Sequence, residues 1–173
     1  MLFVLLIHTT VLLTITAQKN LTSSGQASQT GTLNANTNAI NAIKPPISNT
    51  FQTGSTIYCT HTFGYDDPNP LPAWWMFEFS FESAYITDIQ IYYREGQAIR
   101  MDGFELYVTN TSTIPPVGYL CYNDTDDGFP NIFQNISCNQ LGKYVIYYDT
   151  KGSVESRNLG PIVELCYVAI NGG

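Results

Sequence analysis

Between Trp74 and Asn110 the chain carries three runs of alternating apolar and polar residues, and no other feature limits the fold as tightly. In the first run Trp75, Phe77, Phe79 and Phe81 share one parity, and Glu78, Ser80 and Glu82 the other. In the second, Ile89, Ile91 and Tyr93 alternate with Asp88, Gln90, Tyr92 and Arg94. In the third, Phe104, Leu106 and Val108 alternate with Glu105, Tyr107 and Thr109. Successive side chains of a strand point to opposite faces, so period-two alternation marks a strand with one face buried. Three such strands joined by short polar links predict an antiparallel sheet over a packed core. Arg94 and Arg100 flank the link between the second and third strands, where a site is expected.

The rest of the chain extends this pattern. Ser55–Phe63 reads as a short strand or extended segment, Tyr119–Tyr122 as a short strand, and Lys143–Asp149 as an alternating strand with Tyr144, Ile146 and Tyr148 on one face. Ile162–Ile170 is apolar on both faces, as a central strand covered on both sides would be. Asp66–Pro72, Asn110–Pro116, Asn123–Pro130 and Lys151–Gly160 are turn-rich or polar connections. Short strands at this spacing predict an all-β sandwich with its core in residues 55–173. Residues 18–54, rich in Asn, Thr, Ser, Gly and Gln, are expected to form an irregular arm along the sandwich edge, with one short strand at most. Ala39-Ile40 and Ala42-Ile43 are its apolar anchors, and Lys44-Pro45-Pro46 rules out a helix there.

Residues 1–17, MLFVLLIHTTVLLTITA, read as a signal peptide: the apolar run is short for a membrane span and ends on the small residue Ala17. The expected location is therefore secreted, extracellular. Cys59, Cys121, Cys138 and Cys166 are an even set for an oxidising compartment, so two disulfides are expected. Cys121 and Cys138 bracket a short loop and suit a local bridge, which leaves Cys59 to join Cys166. N-glycosylation sequons stand at Asn20, Asn110, Asn123 and Asn135.

A net charge of −7, with no basic stripe, argues against nucleic acid or an anionic membrane surface as partner. Zinc-ligand spacings are absent, as are a GxSxG elbow and a Gly-rich phosphate loop, and His61 is the only histidine after residue 17. No enzyme and no cofactor are expected. His61, Arg94 and Arg100 carry several donors, which suits the vicinal hydroxyls of a sugar, with Tyr58, Phe63 or Tyr93 covering the apolar face of the ring. The competing expectation is that the two arginines pair with Glu95 and Asp102 in a surface network of little energetic weight. Arg94→Ala or Arg100→Ala is expected to abolish sugar binding while changing stability by no more than about 0.5 kcal/mol.

Cys59-Thr60-His61-Thr62, Trp74–Phe79, Ile89–Arg94, Arg100, Gly103-Phe104 and Glu164–Val168 together resemble the fucolectin, tachylectin and pentraxin-related group of lectin domains, within the discoidin-like, galactose-binding superfamily. The version that opens mollusc receptor-like proteins with EGF-like repeats is especially similar. The resemblance covers about Asn20 to Asn171 and implies a jelly-roll β-sandwich that binds glycans, fucosylated ones in particular. It places the sugar-holding histidine and arginines at His61, Arg94 and Arg100, and implies the Cys59–Cys166 and Cys121–Cys138 pairs. Two departures stand out. The loop Glu95–Ile99 lacks the adjacent cysteines frequent in the family. Lys44 and Tyr167 stand near or at positions where the family places calcium-binding acids, so no metal is expected. The alternative reading is a degenerate extracellular module that binds no sugar, such as a truncated receptor-like ectodomain.

Overall fold

The structure, a computed structural model, describes residues 18–63, 72–151 and 160–173. The expected signal peptide lies outside the described residues, as do most of the Asp66–Pro72 and Lys151–Gly160 connections. In chain order the strands are β1 (Lys19–Asn20), β2 (Gly25–Gln29), β3 (Gln52–Thr53), β4 (Thr56–Ile57), β5 (Ala73–Phe79), β6 (Ala84–Tyr93), β7 (Glu105–Thr109), β8 (Tyr119–Asn123), β9 (Phe133–Gly142), β10 (Tyr144–Asp149) and β11 (Leu165–Gly172). Short 3-10 turns occupy Thr22–Ser24, Ala39–Ile43 and Ala98–Met101. Two antiparallel sheets, in the orders β1-β11-β6-β9 and β2-β5-β10-β7-β8, pack face to face as an all-β jelly-roll sandwich.

The three alternating runs supply the centre of the core. Trp75, Phe77 and Phe79 of β5, Ile89, Ile91 and Tyr93 of β6, and Phe104, Leu106 and Val108 at β7 are all buried. Phe104 stacks on Tyr147 at 4.7 Å, and Tyr147 lies 6.4 Å from Tyr93 across the sandwich. Phe81, grouped by parity with the core set, falls beyond the end of β5 and is exposed. In β10 the residues facing between the sheets are Val145 and Tyr147, while Ile146 and Tyr148 on the other parity are buried as well. β11 is a central strand held between β1 and β6.

The N-terminal segment contributes more regular structure than its composition suggests. β1 pairs with β11 at the edge of one sheet, and β2 pairs with β5 at the edge of the other, so the segment closes one side of the sandwich. Its polar sequence reflects that position, since an edge strand needs few inward apolar residues. Ala39 and Ala42 anchor the 3-10 turn, with the indole N–H of Trp75 donating to the Ala39 carbonyl at 3.0 Å, and the turn stops before Pro45. Ile40, read as an anchor, is exposed.

The opposite side is closed by β8 and β9, the other two edge strands, joined by the Cys121–Cys138 disulfide. β9 passes directly into β10 of the other sheet at Gly142-Lys143. A Cβ on Gly142 would stand 2.3 Å from a methyl of Val108, so only glycine lets the chain cross between the sheets there.

Candidate functional site

The site is built where β6 ends and β11 begins. The segment Cys59–Thr62 runs beside 163–166 but makes only half of a strand ladder with its backbone. The Thr60 and Thr62 amides donate to the Leu165 and Val163 carbonyls, at 2.8 and 3.1 Å. In return the Leu165 and Val163 amides donate to the threonine hydroxyls, at 3.0 and 2.9 Å. The Cys59–Cys166 disulfide fastens the same two segments. His61, held between the two threonines, therefore meets Glu164, between Val163 and Leu165.

Arg94 follows directly on β6, its amide donating to the Glu164 carbonyl at 3.1 Å. Two further turns fold the link back: Gln97 N–H donates to the Arg94 carbonyl and Arg100 N–H to the Gln97 carbonyl. Gly96 takes the positive φ, +72°, that this turn requires. Buried Met101 seats the 3-10 turn carrying Arg100, so Arg100 returns beside Arg94.

All three side chains that sequence reasoning singled out converge, and they converge on Glu164. Its Oε1 lies 2.6 Å from Arg94 Nη1 and 3.1 Å from His61 Nε2, and its Oε2 lies 2.5 Å from Arg100 Nη1. The carboxylate is fully buried, whereas the Arg94, Arg100 and His61 side chains are 28%, 11% and 10% exposed. The other ring nitrogen of His61, Nδ1, sits 2.7 Å from the Thr62 carbonyl, so both ring nitrogens face oxygen atoms. A desolvated carboxylate is stable only where charged donors surround it, which the two guanidinium groups provide.

The expected partner acids are therefore not the ones used. Asp102 accepts from Lys151 at 2.8 Å, and Glu95 lines a shallow depression with Thr50, Phe51, Gln52 and Arg94. Glu164, part of the motif Glu164–Val168, is not legible as the arginines' partner, because it is 70 residues from Arg94 inside an apolar run and only the β6–β11 pairing joins them.

The aromatic neighbour also differs. Tyr93 is buried in the core, its hydroxyl donating to the Ile162 carbonyl at 2.7 Å, and cannot cover a bound ring. Phe51 lies over the Arg94 guanidinium at 4.2 Å and meets the His61 ring edge-on at 6.2 Å. It belongs to the polar N-terminal segment, outside the alternating runs and the motifs. Phe63 is exposed nearby in sequence and Tyr58 is half-buried.

The calcium that the resemblance implies does not fit these residues. Lys44 is an exposed ammonium side chain, and the Tyr167 ring packs against Tyr92 while its hydroxyl accepts from Asn20. Neither offers the carboxylate oxygens that calcium prefers.

No protein family profile matches the chain, and no curated protein does. Solved structures do match. A fucolectin (F-lectin) from striped bass, Morone saxatilis, serum aligns with a TM-score of 0.67 at 22% identity over 90% of this chain and 47% of that one. The Streptococcus pneumoniae fucose-binding module SpX-3 aligns at 0.62 and 18% identity, over 88% and 96% of the two chains. The lectin domain of lectinolysin, solved with the Lewis b antigen, aligns at 0.62 and 17% identity, over 88% and 95%. This chain thus spans about half of the striped bass chain and nearly all of the other two modules. At these identities the likeness defines the class of fold, the galactose-binding-like jelly roll.

Proposed function

We propose that this protein is a secreted, non-enzymatic lectin-like module that recognises glycans, fucosylated ones foremost, through His61, Arg94 and Arg100. The observation that carries the reading is the convergence of the three side chains, from three separate segments, within 2.5–3.1 Å of one buried carboxylate. Glu164 fixes one nitrogen of each group and thereby orients the rest. A guanidinium has five N–H donors, so Arg94, the most exposed of the three side chains, keeps donors beyond the one held by Glu164, which suits the lone pairs of sugar hydroxyls. Phe51 offers an apolar face beside them. The fold neighbours that bind fucose or carry Lewis b support the ligand class. The finer kinship with mollusc receptor-like ectodomains rests on the sequence motifs alone.

A second reading is favoured by the low exposure of His61 and Arg100: the cluster is a structural keystone of a module that binds no sugar. Screening the purified protein on an array of fucosylated and non-fucosylated glycans separates the two. Binding of fucosylated glycans that is lost in Arg94→Ala, the most exposed of the three, supports the lectin. No binding at millimolar glycan, with the wild-type protein folded, establishes the keystone reading instead.

A further inference from the structure

Of the four sequons, Asn135 differs from the rest by what surrounds it. It lies in the middle of β9, exposed, and among the described residues no hydrogen bond engages its side chain. Residues two apart on a strand share a face about 7 Å apart, so the near neighbour of Asn135 is Phe133. Phe133 is 42% exposed, so its ring is open to a partner on this face. Its ring lies 4.7 Å from Tyr92, which in turn lies 5.9 Å from Tyr167, so an aromatic row crosses the outer face over β9, β6 and β11.

The other sequons lack this setting. The residue two positions before Asn110 is buried Val108, and before Asn123 it is Cys121, held in a disulfide. Before Asn20 it is Gln18. Asn20 is also committed to the fold: its amide donates to the Tyr167 hydroxyl at 3.0 Å, and its Oδ1 accepts from the Thr22 amide and hydroxyl.

We propose that Asn135 carries an N-linked glycan whose first N-acetylglucosamine packs its apolar C–H face on Phe133, making that sugar part of the folded surface. In forming the bond, the Asn135 amide nitrogen displaces the diphosphate of a lipid-linked oligosaccharide from the anomeric carbon and loses one proton. The aromatic face and the apolar side of the pyranose are complementary, and stacking removes both from water. The position has a second consequence. β9 is a ten-residue edge strand that also exposes Leu141, and such edges pair with other chains unless they are blocked. A bulky hydrated glycan at its middle blocks this one.

The inference rests on the secretory route stated under the proposed function, and the test separates the two. The full-length protein is secreted from a eukaryotic host, and sites are mapped by mass spectrometry after enzymatic release in heavy-oxygen water. Melting temperatures are then compared for wild type, Ser137→Ala, Phe133→Ala and the double variant, before and after complete glycan removal. Complete removal is expected to lower the wild-type melting temperature by about 2 °C more than that of Ser137→Ala, a difference that disappears in the Phe133→Ala background. Trimming to a single N-acetylglucosamine is expected to leave the wild type unchanged. An unmodified Asn135 beside a glycosylated Asn110 or Asn123 overturns this inference alone. A chain with no glycan anywhere overturns the secretory reading along with it. An equal drop with and without Phe133 overturns the packing.

Discussion

Glu164 fixes the geometry of the site without being a candidate ligand-binding residue itself. Placing a carboxylate at zero exposure is costly, and here the cost is offset by hydrogen bonds from two guanidinium groups, with His61 Nε2 3.1 Å away. The same contacts keep the two arginines from repelling each other. The arginines are therefore not the interchangeable surface residues that their loop position suggests. Glu164→Gln is expected to destabilise the fold by about 3 kcal/mol, because it leaves buried positive groups around a neutral amide. Arg100→Ala should cost more than Arg94→Ala, since the Arg94 side chain is 28% exposed and water replaces more of its contacts. Urea denaturation of the three variants measures this. Unchanged midpoints in all three would show that the cluster is energetically a surface network after all.

At the scale of the element, the segment 59–63 behaves as a strand that borrows acceptors from its side chains. Val163 N–H and Leu165 N–H are buried and depend on the Thr62 and Thr60 hydroxyls, at 2.9 and 3.0 Å. Valine has nearly the shape of threonine but no acceptor. Thr62→Val is accordingly expected to cost about 1–3 kcal/mol, the range for an unsatisfied buried donor, while Thr62→Ser stays near wild type. Thermal melts of the pair decide it, and equal melts would mean that the hydroxyl is dispensable. If the proposed site is correct, Thr62→Val should also weaken glycan binding, because His61 is aligned by the same ladder.

The whole molecule is a sandwich whose two aromatic centrepieces, Tyr93 and Tyr147, are fully buried. Burial holds both phenols well above the usual tyrosine range, with Glu164 and Asp149 adding to the effect at Tyr93. In the unfolded chain these phenols ionise near pH 10, before they do in the native state. Their contribution to stability is thus fully present below pH 10 and lost progressively as pH rises above it. Tyr107, on the outer parity of β7, is pushed up to about 12, first by partial burial and then by its hydrogen bond to Glu105. Tyrosinate absorbance followed against pH should therefore show a late cooperative step that coincides with loss of the folded circular dichroism signal. A smooth titration of all tyrosines with the fold intact would contradict this.

Strand-forming segments and the inward residues of β5, β6 and β7 were legible in the sequence because period-two alternation is a local property, imposed by the pleat on any half-buried strand. His61, Arg94 and Arg100 were legible as unusual polar residues in a chain with few charges, and so was the likeness to a lectin fold. β9 as a ten-residue strand was not, because only Ile136 and Cys138 of its inward positions are buried and apolar, and an edge strand needs no more. The polar segment 18–54 hid two edge strands for the same reason. The acid that organises the site, and the phenylalanine that covers Arg94, were decided by tertiary structure alone. Glu164 reaches the arginines only after the pairing of β11 with β6, and Phe51 reaches Arg94 only once Asn49 is bonded to the backbone of Tyr93 and Glu95, and contacts made by long-range pairing leave no periodic trace in the residues that make them.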